Sequence, residues 1–184
     1  MVSGVGDVLR VPDLNEVIFP TAYKAGARVH SDSWGSSFHY SYTHNSQDVD
    51  RYTRDHPDFL VVMAAGNYGA SGERTVITPA DAKNGVCVGA RELRSPDTDR
   101  FLDDITVAWF SSHGPTQDGR LKPDVIAPGS IIKSAFGVPL KTHLDSPGAH
   151  PSVTCSTHAL AGTSMSAPNV AGIFPTLITS PTLR

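Results

Sequence analysis

The sequence predicts an α/β fold, a doubly wound parallel sheet, and three observations carry that prediction. Phe59-Leu60-Val61-Val62-Met63-Ala64 and Gly85-Val86-Cys87-Val88-Gly89-Ala90 are two continuous apolar runs bounded by turn formers. A strand reads this way when both its faces are covered, as in a parallel sheet, whereas a half-solvated strand alternates. The third observation is order: segments of helical spacing alternate with segments of strand character, the arrangement of α/β crossover units.

Each element has a local reason. Leu14, Val17, Ile18 and Ala22 fall at helical spacing, and Pro20 among them predicts a break or a second helix start before Gly26 closes the segment. Ala27–Ser33 reads as a short strand that leaves through a loop at Trp34-Gly35-Ser36-Ser37. Asn45–His56 predicts a short surface helix with Asn45 or Ser46 as N-cap, Val49 and Tyr52 on one face, and Pro57 as its stop. The two apolar strands follow, then a charged, turn-rich excursion from Arg91 to Asp104. Thr106–Phe110 is apolar again and is expected to approach the sheet. Lys122–Gly129 reads as a short strand between two proline-bearing turns, with Ile131 and Ile132 continuing on the core side. Gly137–Ala159 is an irregular connection of a length more often functional than idle.

Composition narrows the function. The 184 residues suit one domain or a large piece of one, and 15 basic against 18 acidic residues, without a long run of either sign, exclude a nucleic-acid surface. Cys87 and Cys155 lack zinc or redox spacing, and their pairing is left open. Cys155, His150 and His158 match no usual metal-ligand pattern. Residues Met1–Leu14 include Asp7, Arg10 and Asp13 and no apolar core, so this stretch does not read as a signal peptide. Ala159–Ile178 is apolar enough to imitate a membrane span, but Thr163, Ser164, Ser166, Asn169 and two prolines suit a helix buried in protein instead.

Two strings carry chemistry. In Gly162-Thr163-Ser164-Met165-Ser166-Ala167-Pro168, small and hydroxyl residues open an apolar helix, placing Ser164 at the positive end of the helix dipole with room for a carbonyl to approach. The plain alternative is that Thr163 or Ser164 is an N-cap. Ala64-Ala65-Gly66-Asn67-Tyr68-Gly69 leaves the most apolar strand at its C-terminal end, the edge where parallel sheets bind ligands. There Asn67 is either an amide donor aimed into a cleft or an ordinary turn residue.

Both strings resemble segments of the subtilisin-like serine peptidases, the subtilases: Gly-Thr-Ser-Met-Ala/Ser-x-Pro around the nucleophile and Ala-Ala-Gly-Asn-x-Gly around the oxyanion donor. The first matches over seven consecutive positions, Gly162 to Pro168. The resemblance implies endoproteolysis through an acyl-enzyme on Ser164, with Asn67 and the Ser164 amide holding the oxyanion. Ser33-Trp34-Gly35 is similar to the family's substrate edge, where an extended polypeptide adds as a strand; with Ala65 and Gly66 it would border the peptide groove, Gly35 and Gly66 leaving the walls of the first specificity pocket open. Phe110–Pro115 and Asp118–Gly129 resemble structural segments of the family, and His113 takes no catalytic role there. No cofactor is expected beyond the structural calcium common in the family, for which no acidic cluster of recognisable spacing is visible.

The match runs from about Asp7 to Gly172 and is incomplete. The family's catalytic Asp and its His-Gly-Thr-His motif precede the serine, and neither occurs here, so residues 1–184 read as a partial subtilisin-like domain without its first strands and catalytic His helix. His113, His150 and His158 are weak substitutes for the base that Ser164 needs. The rival reading is an inactive fragment that keeps the peptide groove. Pro175 and Pro181 are expected to interrupt the last helix.

Overall fold

The computed structural model describes residues 3–5, 8–37, 40–92, 106–135 and 157–179. The chain opens with a short antiparallel hairpin, β1 (Ser3–Val5) and β2 (Val8–Arg10). The Asp13 carboxylate then accepts the Glu16 N–H at 2.8 Å and starts a π-helical turn, Leu14–Ile18. Pro20 falls in the first turn of α1 (Phe19–Lys24), where its missing N–H costs nothing, so the proline marks a second start.

Four strands make the central sheet: β3 (Val29–Asp32), β4 (Leu60–Ala64), β5 (Val86–Arg91) and β6 (Val125–Pro128). They lie in the order β3-β4-β5-β6 and every neighbouring pair is parallel. Between β3 and β4 runs α2 (His44–Asp55). After β6 an antiparallel pair, β7 (Ile132–Ala135) and β8 (Thr157–Leu160), leads into α3 (Thr163–Thr179).

Alternation along β4 sends its side chains to two separate cores. Val61, Met63 and Ala65 pack with Leu14, Phe19, Val49, Tyr52, Phe59 and Cys87 on the face covered by α1 and α2. Val62 and Ala64 pack with Val88, Ala127 and Ala167 on the other face, where Val170 and Phe174 bring in α3. The doubly covered strand that the sequence predicts is therefore present. Cys87 is a buried free thiol pushed up in pKa by burial, which makes it inert, while Cys155 lies outside the described residues.

Other expectations are corrected. Thr43, not Asn45 or Ser46, precedes α2, and its hydroxyl turns to Thr78 at 2.6 Å, leaving the helix without a side-chain cap. Ile131 does not continue the core: it adopts a left-handed φ of +55° and is 69% exposed. Thr106–Phe110 does approach the sheet, Ala108 donating to the Ala90 carbonyl at 2.8 Å, but Trp109 turns outward. Most of the excursion after Arg91 and most of the long connection after Gly137 lie outside the described residues. Pro175 does not break the last helix, which contains both Pro168 and Pro175; Gly172, Ile173 and Pro175 are all exposed there, so the lost hydrogen bond is not buried. Among the described residues no helix is long and apolar enough to cross a membrane.

Phe19 joins the elements on the α1 face, its ring 5.2 Å from Tyr52, 5.7 Å from Phe59 and 5.2 Å from His30. Replacing it with alanine is expected to cost about 3–5 kcal/mol of unfolding free energy, measured by denaturant titration followed by circular dichroism.

Candidate active site

The C-terminal ends of parallel strands point the same way, and three of them meet the start of α3. The helix begins at Thr163, immediately after Gly162, whose amide donates to the Gly129 carbonyl beyond β6 at 2.8 Å. From the end of β4, Asn67 turns its carboxamide oxygen to the helix and accepts both the Thr163 N–H at 2.9 Å and the Thr163 hydroxyl at 3.0 Å. The first turn of a helix leaves its N–H groups without intrahelical partners, so Asn67 caps α3 from another part of the chain. The Thr163 hydroxyl in turn accepts the Gly66 N–H at 3.1 Å.

From the end of β3, Ser33 makes a reciprocal pair with Ser164. The Ser164 hydroxyl donates to the Ser33 carbonyl at 3.2 Å, and the Ser33 hydroxyl donates to the Ser164 carbonyl at 2.8 Å. The second bond has a cause in the sequence: Pro168 stands four residues after Ser164 and has no N–H to give that carbonyl. Ser33 supplies the bond the helix lacks. Neither Thr163 nor Ser164 caps its own helix, which removes the plain N-cap reading of both hydroxyls.

Serine 164 and Asn67 thus lie at one rim, joined through Thr163. With its oxygen committed to Thr163, the Asn67 carboxamide has its NH2 group left for the cleft. Sequence reasoning weighs Thr163 only as an N-cap and does not single out the hydroxyl of Ser33 as a partner of the helix.

The other residues expected at the groove divide. Gly35 is exposed at the loop after β3. Trp34 turns its ring inward, packing against the α1-side core and donating its indole N–H to Asp32 at 3.0 Å; only its backbone remains at the edge. Ala65 is fully buried, its N–H given to Val88 and its carbonyl to Ile77. Gly66 is buried, and its carbonyl accepts the Ser112 N–H at 2.9 Å. A Cβ at Gly35 would meet the Ile77 Cδ1 atom at 2.5 Å and the Thr78 carbonyl oxygen at 2.6 Å, and one at Gly66, where φ is +110°, would meet the Ser112 hydroxyl at 2.7 Å and Ile77 at 2.8 Å.

The Ser164 proton goes to a backbone carbonyl and not to an imidazole. His30 is bonded to Asp32 at 3.0 Å and packs against Phe19 and Phe59, on the sheet face opposite α3. His56 stacks on Tyr52 at 4.0 Å. His113 lines a cavity beside Lys122 and Asp124, and His150 lies outside the described residues. Among the described residues no three His, Cys, Asp or Glu side chains gather as a metal site would require.

Thr78, next to Ile77, is anchored to α2. Its hydroxyl lies 2.9 Å from Ser46, which donates to the Asp81 carboxylate at 2.5 Å. Burial pushes the Asp81 carboxyl above its usual range, and the Ser46 hydrogen bond pulls it partly back.

The model of the subtilase family matches residues 13–180. The chain is 28% identical over 194 residues to the serine protease/ABC transporter B family protein tagD of Dictyostelium discoideum, an alignment covering 67% of this chain and 10% of that protein. It is 36% identical over 114 residues to the serine protease AprX of Bacillus subtilis, covering 62% of this chain and 24% of the relative. The chain therefore spans a small part of these relatives. Its fold is similar to that of sphericase, with a TM-score of 0.58 and 24% identity over 84% of this chain and 44% of the solved one.

Two outcomes follow from the geometry. Thr163→Val keeps the shape but leaves the Gly66 N–H and the Asn67 oxygen short of a partner, and is expected to cost about 1–3 kcal/mol in denaturant unfolding. Since the folded-state pKa of Asp81 is raised, its contribution is fully present below the ordinary carboxylate value and declines as pH rises through the folded value. Stability measured against pH should lose that decline in Asp81→Asn.

Proposed function

The chain belongs to the subtilase family, and from that premise we propose that it is the serine-bearing part of a subtilisin-type endopeptidase in which Ser164 is the nucleophile. The observation that carries the reading is the link from Asn67 through Thr163 to Ser164, two bonds of 2.9 and 3.0 Å that hold both reacting groups at the same rim.

In this reading an extended polypeptide lies along Ser33–Gly35 as an added strand and presents its carbonyl to Ser164. The Ser164 hydroxyl leaves the Ser33 carbonyl, gives its proton to a histidine outside this chain, and attacks. The tetrahedral oxyanion forms at the N-terminus of α3, where the Asn67 NH2 group and the Ser164 amide donate to it and the helix dipole favours negative charge. Collapse expels the amine, which takes the proton back from that histidine, as the acyl-enzyme forms, and water then releases the acid.

A second reading, a peptide-binding module that hydrolyses nothing, is favoured for this polypeptide by itself because the Ser164 hydroxyl is bonded to a carbonyl and not to a base. Fluorophosphonate labelling separates the two. This chain alone is expected to remain unlabelled at Ser164, and a version extended upstream by family Asp and His-Gly-Thr-His segments to be labelled. Rapid labelling of the chain alone would reveal an internal base and overturn the second reading. In the extended, active version, Asn67→Ala is expected to lower kcat by a hundred- to a thousandfold.

A further inference from the structure

The segment Phe110-Ser111-Ser112-His113 lies against the loop that carries Asn67. Three hydrogen bonds join them: the Ser112 N–H donates to the Gly66 carbonyl at 2.9 Å, the Tyr68 N–H to the Ser112 hydroxyl at 3.2 Å, and the Gly69 N–H to the Phe110 carbonyl at 2.9 Å. Two of the three belong to one residue. Ser112 holds the residue before Asn67 through its backbone and the residue after it through its side chain.

The Ser112 hydroxyl also fills space. A Cβ on Gly66 would fall 2.7 Å from it, so the oxygen rests against the Gly66 backbone while it accepts from Tyr68. Ser112 is fully buried, and its neighbours anchor the segment to the rest of the fold. The Ser111 hydroxyl accepts the Ala90 N–H of β5 at 3.0 Å, the His113 N–H donates to the Thr75 hydroxyl at 2.9 Å, and the Thr75 N–H donates to the His113 carbonyl at 2.8 Å. The segment is a fixed reference for the loop beside it.

Asn67 needs such a reference. Thr163 sets its carboxamide oxygen, but Asn67 is exposed, and among the described residues its main chain makes no hydrogen bond of its own. Its Cα is therefore placed by Gly66 and Tyr68, the two residues that Ser112 holds. An oxyanion donor works within about 2.7–3.1 Å of the oxygen, and a misplacement of about 1 Å can cost roughly a hundredfold in rate. The bonds to Thr163 alone leave the NH2 group free to pivot about the carboxamide oxygen. Fixing the backbone on both sides removes that freedom.

We infer that Ser112 is a positioning residue for the oxyanion donor, acting on the reaction only through the carboxamide of Asn67. The inference rests on the reading of Ser164 and Asn67 as the reacting pair. Being fully buried, Ser112 has no contact to offer a substrate, so it is not itself a catalytic residue.

Two measurements test this. In this chain alone, Ser112→Ala is expected to speed hydrogen exchange of the Tyr68 amide about tenfold or more while the Val62 and Val88 amides of the sheet exchange as before. No change at Tyr68, or equal acceleration in the sheet, overturns the local clamp. In the chain extended upstream by the family Asp and His-Gly-Thr-His segments, Ser112→Ala is expected to lower kcat about tenfold with little change in KM, and Ser112→Thr, which keeps the hydroxyl, to restore most of it. The decisive comparison is made in Asn67→Ala: with the carboxamide gone, adding Ser112→Ala is expected to lower kcat by less than about twofold further. A similar loss in both backgrounds, or none in either, overturns the positioning role and leaves Asn67 as the donor. No loss from Asn67→Ala itself overturns the reading of the reacting pair, and the role of Ser112 with it. Ser112→Cys, whose sulfur is a weaker acceptor, carries the same comparisons if the alanine variant does not fold.

Discussion

The carboxamide oxygen of Asn67 caps a helix that begins 96 residues later in the chain, and the candidate site depends on that bond. It satisfies the Thr163 N–H, which a helix cannot satisfy for itself, and accepts the Thr163 hydroxyl as well. One acceptor therefore fixes the orientation of the amide, the entry angle of α3, and the distance between the end of β4 and Ser164. A side chain able to accept without also donating would hold the helix as well but would leave no NH2 group for the cleft, which is a physical reason for an amide here in preference to a carboxylate.

The sheet separates support from chemistry. On one face, aromatic and large aliphatic side chains from α1, α2 and β4 build the more voluminous core, with Phe19 at its centre. On the other, small residues such as Ala64, Ala127 and Ala167 let α3 lie close enough to the strands for its N-terminus to reach their ends. The apolar run of β4 serves both faces by alternation, so its residues contribute to stability and to site geometry together.

Much of this was legible in the sequence because the signals were local or repeated. Continuous apolar runs distinguish a doubly covered strand, and the strings around Asn67 and Ser164 are long enough to be specific. What the sequence hid was the direction of single side chains in loops. Trp34 reads equally well as a groove residue or a core residue, and only the indole bond to Asp32 decides for the interior. Ile77 has no periodic context, so nothing in the string announces that it lies between two glycines about 40 and 10 residues upstream. Thr43 was passed over as the residue before α2 because Asn45 and Ser46 are better caps by propensity, yet the Thr78 hydroxyl and the Asp81 carboxylate draw Thr43 and Ser46 away from capping. The proline at 175 was read as an interruption, yet the helix runs through it to Thr179.

The reciprocal pair of Ser33 and Ser164 spans 131 residues. Closing a loop of that length costs more entropy than pairing β3 to β4 or β4 to β5. Assembly of the sheet can therefore run ahead of assembly of the reactive rim, and a nascent or damaged chain can possess an ordered scaffold while its serine is still unplaced.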